Sequence, residues 1–281
     1  MSDLAIGLVI IGVLSALLLL ATLRISRSLP RRTANLLAIM TVALMLANSL
    51  LFHDSVILTH LLPFSNLVVI GNWAPLFVAA LTGLIWWRVP GGIRRVAVVS
   101  ALGFVCLLAM YVPILSTAPQ MNDRWDHGVC LQTSQASCSP AAAATLLNAY
   151  GIKTTEQEMA LLCLTSTKGT SMHGLWRGLK LKTANSGYDV YMFNHASVED
   201  LKGMGPVLLS VELMPRAKVD PRYQASWGWM PGVPHTVVVM DFAAPGSASV
   251  ADPATGKEAW SIDDLGVLWH GVAVRLIKAK S

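Results

Sequence analysis

Four apolar runs, each close to the length of a membrane-spanning helix, take up most of the first 115 residues of this 281-residue chain. They cover residues 4–23, 33–52, 67–87 and 96–115, and none of them contains a charged side chain. A helix needs about 20 such residues to cross the hydrocarbon core of a bilayer. The alternative is a set of buried core helices in a soluble protein, which the lack of charge in all four runs disfavours. We therefore predict a four-helix transmembrane anchor over residues 1–115, with the lipid bilayer as its partner.

The loops between these runs predict the orientation of the anchor. Its arginines lie between the first and second runs and between the third and fourth: Arg24, Arg27, Arg31, Arg32, Arg88, Arg94 and Arg95. By the positive-inside rule both loops are cytoplasmic, so four crossings place everything after residue 115 outside the cytoplasm. The first run lacks a basic segment before it and a clear cleavage site, which favours an anchor over a removed signal peptide. We expect a multi-pass membrane protein whose second half is extracytoplasmic.

The net charge of the chain comes from this anchor. The first 115 residues carry the whole formal net charge of +5, whereas 14 Lys and Arg balance 14 Asp and Glu from residue 116 onward. The sequence pI of 9.1 thus reflects arginines at a membrane surface. No nucleic-acid partner is predicted.

The second half has a different pattern. Pro119, Asn122 and Asp123 indicate a linker over residues 116–127, followed by a folded domain over residues 128–281. We expect helices at 139–150, from 155 and after 169–171, then strands at 189–193, 206–213, 235–241, 249–251 and 272–277, with short helices at 197–201 and 261–268. Helices followed by a mainly antiparallel sheet are typical of the α+β class.

The stretch around Cys138 is the first candidate for chemistry. Cys138 precedes Ser139-Pro140 and an apolar run, and proline is favoured at the first position of a helix. The positive end of the helix dipole favours thiolate over thiol, so Cys138 is a candidate nucleophile. Gln132 lies six residues upstream, and its amide N–H could donate to an oxyanion beside the sulfur. The alternative is an inert, buried cysteine.

A cysteine nucleophile needs a base, and the base needs an orienting group. His235 begins the most strand-like run of the chain, and Asp252 ends the next predicted strand, seventeen residues later. In a hairpin the two strands would bring Asp252 back to the end of the sheet that holds His235. The carboxylate could then fix the tautomer of the imidazole. Asp252 also has a purely structural interpretation, because Asp-Pro dipeptides form turns.

The order of these motifs resembles a known family. Gln-x5-Cys before Ser-Pro-Ala-Ala, Gly-x-x-His before an apolar strand and then Asp-Pro-x-x-Gly are similar to the bacteriocin-leader-processing (double-glycine type) cysteine peptidases. The resemblance covers about residues 128–277 and implies a papain-like fold and a bacterial cell-membrane protein that needs no cofactor or metal. It implies that Cys138 is the nucleophile, His235 the general base and acid, Asp252 the orienting group and Gln132 the oxyanion donor.

The sequence departs from this family at three points. Ser139 stands where the family has glycine, so we expect its side chain to affect substrate binding beside the nucleophile. The domain follows four helices, whereas transporter-linked members carry it at the N-terminus. The chain has no Gly-x4-Gly-Lys-Ser/Thr motif, so an exporter would be a separate protein. A peptide or protein is the expected substrate; a catalytically silent peptide-binding module and an amidase or acyl-transfer enzyme on cell-wall peptides are the alternatives.

Two further groups of residues attract attention. Cys130 and Cys163 would pair as a disulfide in an oxidising compartment and leave Cys138 reduced. A zinc site that combines them with His127 and His173 is the alternative, but its spacing fits no common pattern. Trp227 and Trp229 lie just before His235, in a loop that could form a substrate-binding wall, rest on the membrane surface or cover the core.

Overall fold

The structure is a computed structural model that describes residues 2–52, 54–112, 114–115, 117–194, 197–215, 220–244 and 246–279. By its internal contacts the chain divides into two compact units, Met1–Ser116 and Thr117–Ser281. Residue 116, where the predicted linker begins, and residues 216–219 of the tryptophan-bearing loop lie outside the described residues.

The first unit is helical throughout. Its helices are α1 (Asp3–Ser28), α2 (Arg31–Leu51), α3 (Val56–Leu61), α4 (Leu67–Ile70), α5 (Ala74–Ile85) and α6 (Ile93–Tyr111). Four segments are long and apolar enough to cross a membrane: Asp3–Ser28, Arg31–Leu51, Leu67–Ile85 and Ile93–Tyr111. They coincide with the four predicted apolar runs. Helix α3 was not predicted, because its six residues lie in a segment that we expected to be a loop.

Small and polar side chains join the helices of this unit. A Cβ atom on Gly83 of α5 would collide with the side chain of Thr22 in α1, and the Ser26 hydroxyl donates to the Gly83 carbonyl oxygen at 2.8 Å. Between α4 and α5, the Asn72 side chain donates to the Ala109 carbonyl oxygen of α6 at 2.6 Å. Close backbone approach at small residues and interhelical hydrogen bonds are the means by which helices associate in a bilayer.

The second unit begins with a small ribbon and three helices. Strands β1 (Arg124–Asp126) and β2 (Val129–Leu131) pair antiparallel, and α7 (Cys138–Ala149), α8 (Glu156–Leu162) and α9 (Met172–Thr183) follow. Helix α7 is buried from Ser139 to Leu147, because its first three turns carry four alanines and two leucines that pack without gaps between neighbouring elements. It contacts β2, α8 and, in the sheet described next, β5. Strand β1 lies inside the segment that we predicted to be a linker.

A six-stranded sheet completes this unit. Its strands are β3 (Tyr188–Phe193), β4 (Val207–Val211), β5 (His235–Ala244), β6 (Ser247–Asp252), β7 (Gly256–Ser261) and β8 (Trp269–Lys278), with short helices α10 (Arg222–Ala225) and α11 (Ile262–Leu268) between them. The order across the sheet is β3-β8-β4-β5-β6-β7, and all neighbouring pairs are antiparallel. The α+β class is therefore confirmed. Strand β7 was not predicted.

Candidate active site

Helix α7 holds Cys138 at its first turn. Cys138 is the first helical residue, after Ser137, and the first helical hydrogen bond runs from the Ala141 N–H to the Ser137 carbonyl oxygen at 3.0 Å. Pro140 is thus the third helical residue and not the first, as we expected. Its missing N–H still has no helical acceptor to lose at that position. The thiol therefore lies at the positive end of the helix, where an anion is favoured.

The β5–β6 hairpin brings His235 and Asp252 together. Val238 pairs with Ala251, so the first residue of β5 and the last of β6 lie at the same end of the sheet. The Nε2 atom of His235 lies 2.7 Å from Oδ1 of Asp252. The same carboxylate oxygen accepts from the Ala254 N–H at 2.7 Å, and only 5% of the Asp252 surface is exposed. The Asp-Pro turn thus has a structural role as well, because it holds the carboxylate against the imidazole.

The imidazole of His235 also forms a hydrogen bond with the Cys138 thiol. Since Nε2 faces Asp252, the remaining ring nitrogen, Nδ1, is the atom that forms the hydrogen bond with the Cys138 sulfur. Burial disfavours the charged imidazole, but the hydrogen bonds and charges of Asp252 and Cys138 outweigh it and raise the pKa of His235 to about 10. Burial likewise opposes ionisation of the thiol, yet the hydrogen bond and charge of His235 lower the pKa of Cys138. These opposite shifts favour a thiolate–imidazolium pair.

Gln132 follows β2 and lies in the same cavity as Cys138. Its backbone N–H donates to the carbonyl oxygen of Pro253 at 2.8 Å, which ties this segment to the turn after Asp252. Its side-chain amide donates to the Ser134 carbonyl oxygen at 3.3 Å, while its Oε1 atom is buried and has no hydrogen-bond partner. An amide group has two N–H donors, so one of them is not used by Ser134.

A cavity of about 810 Å³ opens at the Cys138 thiol. Trp227, Trp229 and Met230 line one part of it, and Glu258 and Trp260 of β7 line another. The Trp229 ring stands edge-on to His235, with centroids 5.9 Å apart, and edge-on to Trp260 at 5.8 Å. Trp227 and Trp229 thus line the same cavity as Cys138 and His235, and their role in substrate binding stays a prediction.

Ser139 does not lie where we predicted. Its side chain was expected to face substrate, but the residue is 9% exposed and does not line this cavity. Its Oγ atom lies 2.8 Å from Oγ1 of Thr236 on β5. The reason is helical geometry: the second residue of α7 faces the strand on which the helix packs.

The predicted disulfide is absent, and this expectation was wrong. Cys130 and Cys163 are both free and buried. Cys130 lies near Glu156, the first residue of α8, whereas Cys163 directly follows the last. Since a helix rises about 1.5 Å per residue, seven residues separate its ends by roughly 10 Å. A disulfide needs Cα atoms within about 7 Å.

The environment of these two thiols disfavours the thiolate form. Burial, together with the charges of Glu156 and Asp123, raises the pKa of Cys130 to about 12, and burial raises the pKa of Cys163 to about 12. Within the described part of the chain, no group of three or more His, Cys, Asp or Glu side chains could hold a metal ion. The zinc site considered above is therefore not formed by the described residues.

Three residues near the site were not predicted from the sequence. Thr236 follows His235, and Glu258 and Trp260 lie on the unpredicted strand β7. The alternation of buried Gly256 and Trp260 with more exposed Lys257, Glu258 and Ala259 is irregular, so period-two analysis gave no signal. The position of Thr236 directly after the candidate base was the one available indication of its importance.

An imidazole between a thiol and a buried carboxylate, in a unit of helices packed against an antiparallel sheet, is the arrangement typical of papain-like cysteine peptidases. Residues 126–190 match the model of the Peptidase C39 family. The resemblance to the bacteriocin-processing cysteine peptidases is thereby confirmed. The matched segment contains Gln132 and Cys138 and ends within β3. His235 and Asp252 lie outside the matched segment, on strands β5 and β6.

One curated relative is an uncharacterized protein from Methanothermobacter thermautotrophicus. It is 44% identical over 50 residues, which are 18% of this chain and 35% of that protein. The chain therefore spans about a third of the length of this relative.

Several solved structures are similar to the chain, among them the following three. A double glycine motif protease from an AMS/PCAT transporter, solved with its leader peptide, has a TM-score of 0.41 at 17% identity and covers 59% of this chain and 96% of its own. The peptidase domain of Streptococcus ComA, a bifunctional ABC transporter of a quorum-sensing pathway, has 0.40 at 18%, over 53% and 96%. A Bacillus anthracis protein described as a C39-like peptidase has 0.42 at 16%, over 60% and 98%.

Proposed function

We propose that this protein is a membrane-anchored cysteine peptidase that hydrolyses peptide bonds on the extracytoplasmic side of a bacterial cell membrane. Cys138 is the nucleophile, His235 the general base and acid, Asp252 the group that orients His235, and Gln132 an oxyanion donor. The observation that carries the proposal is the 2.7 Å contact between His235 and Asp252, made by an imidazole that also hydrogen-bonds the Cys138 thiol at the mouth of a cavity.

The reaction follows from the protonation states of these groups. The Cys138 thiolate attacks the carbonyl carbon of the scissile peptide bond, and the carbonyl oxygen becomes an oxyanion. The free N–H of Gln132 and the backbone N–H of Cys138 at the start of α7 stabilise that charge. The imidazolium of His235 protonates the departing amine, which leaves a thioester on Cys138. Neutral His235 then takes a proton from water, whose oxygen attacks the thioester and restores the thiolate.

Asp252 acts on this cycle through His235. Because its Oδ1 atom accepts from Nε2, it keeps Nδ1 directed at the sulfur and stabilises the imidazolium. The hydrogen bond from Ala254 to the same oxygen holds the carboxylate in place. The raised pKa of His235, about 10, is consistent with a proton that is retained until the amine leaves.

The cavity supports a peptide as the substrate. Its volume of about 810 Å³ holds several residues of an extended chain, and Trp227 and Trp229 offer apolar walls with ring N–H donors. A protein or peptide that is exported by a separate transporter is the expected partner, in keeping with the transporter-linked relatives that the sequence resembles.

The arginine-rich loops support the extracytoplasmic location. Alkaline phosphatase fused after residue 281 is expected to be active, since it folds only outside the cytoplasm, and a fluorescent protein of the green type at the same point is expected to be dark. The reverse result would place the peptidase unit in the cytoplasm and remove this part of the proposal.

The function itself is tested in cells. Secreted and membrane-associated peptides from cells with wild-type protein are compared by mass spectrometry with those from cells with Cys138→Ala. We expect products that appear only with wild type and the uncut precursors to accumulate with the variant. Identical peptide sets, with no labelling of Cys138 by a thiol-directed peptidase probe, would favour the catalytically silent module instead. Products cut at amide bonds of cell-wall peptides would favour the amidase.

A further inference from the structure

Ser139 and Thr236 each directly follow one of the two reacting residues in the chain. Ser139 is the neighbour of Cys138 on α7, and Thr236 is the neighbour of His235 on β5. Their hydroxyl oxygens lie 2.8 Å apart, and the residues are only 9% and 6% exposed. This hydrogen bond therefore joins the start of the nucleophile's helix to the start of the base's strand.

The two hydroxyls also interact with the sulfur of Cys138. Hydrogen bonding by the Ser139 and Thr236 side chains is among the effects that lower the pKa of Cys138. A pair of hydroxyls has two hydrogens. One of them lies between the two oxygens, so the other is available to a thiolate that has no hydrogen of its own. A hydroxyl that accepts from one neighbour is a stronger donor to the next, which strengthens the bond to the sulfur.

The two hydroxyls are buried and hydrogen-bonded to each other. Buried hydroxyls cost free energy unless they are hydrogen-bonded, and here each satisfies the other. Hydrogen bonds to a charged acceptor are also roughly twice as strong as neutral ones.

We propose that Ser139 and Thr236 form a hydroxyl clasp that fixes the separation of the Cys138 sulfur from the His235 ring and donates one O–H to the Cys138 thiolate. The proposal rests on the proposed function in that Cys138 is taken as the nucleophile. Ser139 and Thr236 are positioning residues, because they act through Cys138 and His235. The titratable groups that line the same cavity as Cys138 are His235 on β5, Asp252 on β6, Glu258 on β7 and Asp264 on α11.

The test measures the thiolate directly and needs no substrate. The full chain in detergent is treated with iodoacetamide at pH values from 4 to about 10, and alkylation of Cys138 is followed by mass spectrometry. The proteins are wild type, Ser139→Gly, Thr236→Val, Thr236→Ser and the Ser139→Ala/Thr236→Val double variant. Valine keeps the shape of threonine without the hydroxyl, and serine keeps the hydroxyl.

We expect the midpoint of the alkylation profile to move to higher pH. The shift is smaller in the single variants, where one hydroxyl remains, and about one pH unit in the double variant, which corresponds to roughly tenfold slower alkylation on the acid side. Thr236→Ser should retain the wild-type profile. A double variant with the wild-type profile would overturn the proposal.

Buried Cys130 and Cys163 supply the folding control in the same spectra. They stay unmodified at neutral pH while the unit is folded, because burial holds them as thiols. If they become reactive in the double variant, Ser139→Gly decides the matter, and an unshifted profile there overturns the clasp. If wild type cuts no peptide but the profiles still depend on the hydroxyls, the proposed function fails and the clasp stands. If wild type hydrolyses peptides but the alkylation profiles do not shift in the variants, the proposed function stands and the clasp fails.

Discussion

Oδ1 of Asp252 lies 2.7 Å from Nε2 of His235, although seventeen residues separate them in the chain. The antiparallel register of β5 and β6 makes this contact, since it returns the end of β6 to the beginning of β5. The contact assigns Nδ1 of His235 to Cys138 and so orders the whole site.

Asp252→Asn should reduce kcat/KM by roughly 10²-fold or more. The substitution removes the negative charge that raises the pKa of His235 and allows the imidazole to adopt the wrong tautomer. The effect is measured as the rate at which the purified full chain hydrolyses a peptide that wild type cleaves. Asp263→Asn is the matched control, because Asp263 is exposed on α11 and does not line the cavity. Equal activity of Asp252→Asn and wild type would separate Asp252 from the mechanism.

Gln132→Ala should lower kcat by about 10²–10³-fold and leave KM nearly unchanged, because an oxyanion donor acts on the transition state. Alkylation of Cys138 should keep its wild-type pH profile, since the thiolate depends on His235 and not on Gln132. Gln224→Ala is the control, because Gln224 is an exposed residue of α10. A rise in KM with constant kcat would instead assign Gln132 to substrate binding.

The pH dependence of kcat/KM should decline on the alkaline side near pH 10, where His235 loses its proton. The acid limb should lie below the ordinary thiol range, because the pKa of Cys138 is lowered. The same shift affects stability. Since the folded pKa of His235 is above 6.5, its stabilisation is fully present below about pH 6.5 and is lost as the pH rises through about 10. An alkaline limb near pH 7 would contradict the ion pair.

Two glycine-to-alanine substitutions should change stability in opposite directions. A Cβ on Gly178 of α9 would collide with the Cys163 sulfur and approach the Cys163 backbone nitrogen at 3.2 Å, so Gly178→Ala should destabilise the second unit by about 1–3 kcal/mol. Gly266 of α11 has nothing within 4 Å of a Cβ, so Gly266→Ala should stabilise it by about 0.5–1 kcal/mol. Pulse proteolysis of the full chain in increasing urea measures both. A neutral Gly178→Ala would mean that Cys163 is less tightly packed than the structure has it.

Much of the fold could be predicted from local patterns. Uninterrupted apolar runs gave the four long helices, and periodicity with turn residues gave α7, α9, α11 and five strands of the sheet. Strand β7 was missed because Gly256, Lys257, Glu258 and Ala259 have low strand propensity and their pairing with β6 decides their conformation. Strand β1 was missed for a similar reason, since its three residues are exposed and pair only with β2.

The site was predictable only where it depends on order along the chain. Cys138, His235 and Asp252 could be named because helix start, strand start and strand end are local features. The prediction of a Cys130–Cys163 disulfide was wrong because the sequence gives the number of residues between the two cysteines and not their distance in the fold. The partner of Ser139 could not be known before the packing of α7 on β5, and so the hydroxyl of Thr236 had no visible role.

The central claim is that Cys138 performs the hydrolysis. The most direct measurement compares wild type, Cys138→Ala and Cys106→Ala, each as the full chain in lipid nanodiscs, on a mixture of quenched fluorescent peptides. Cys106 lies in α6 of the first unit and serves as the matched cysteine control. We predict hydrolysis by wild type and Cys106→Ala and none by Cys138→Ala. Full hydrolysis by Cys138→Ala would contradict the account.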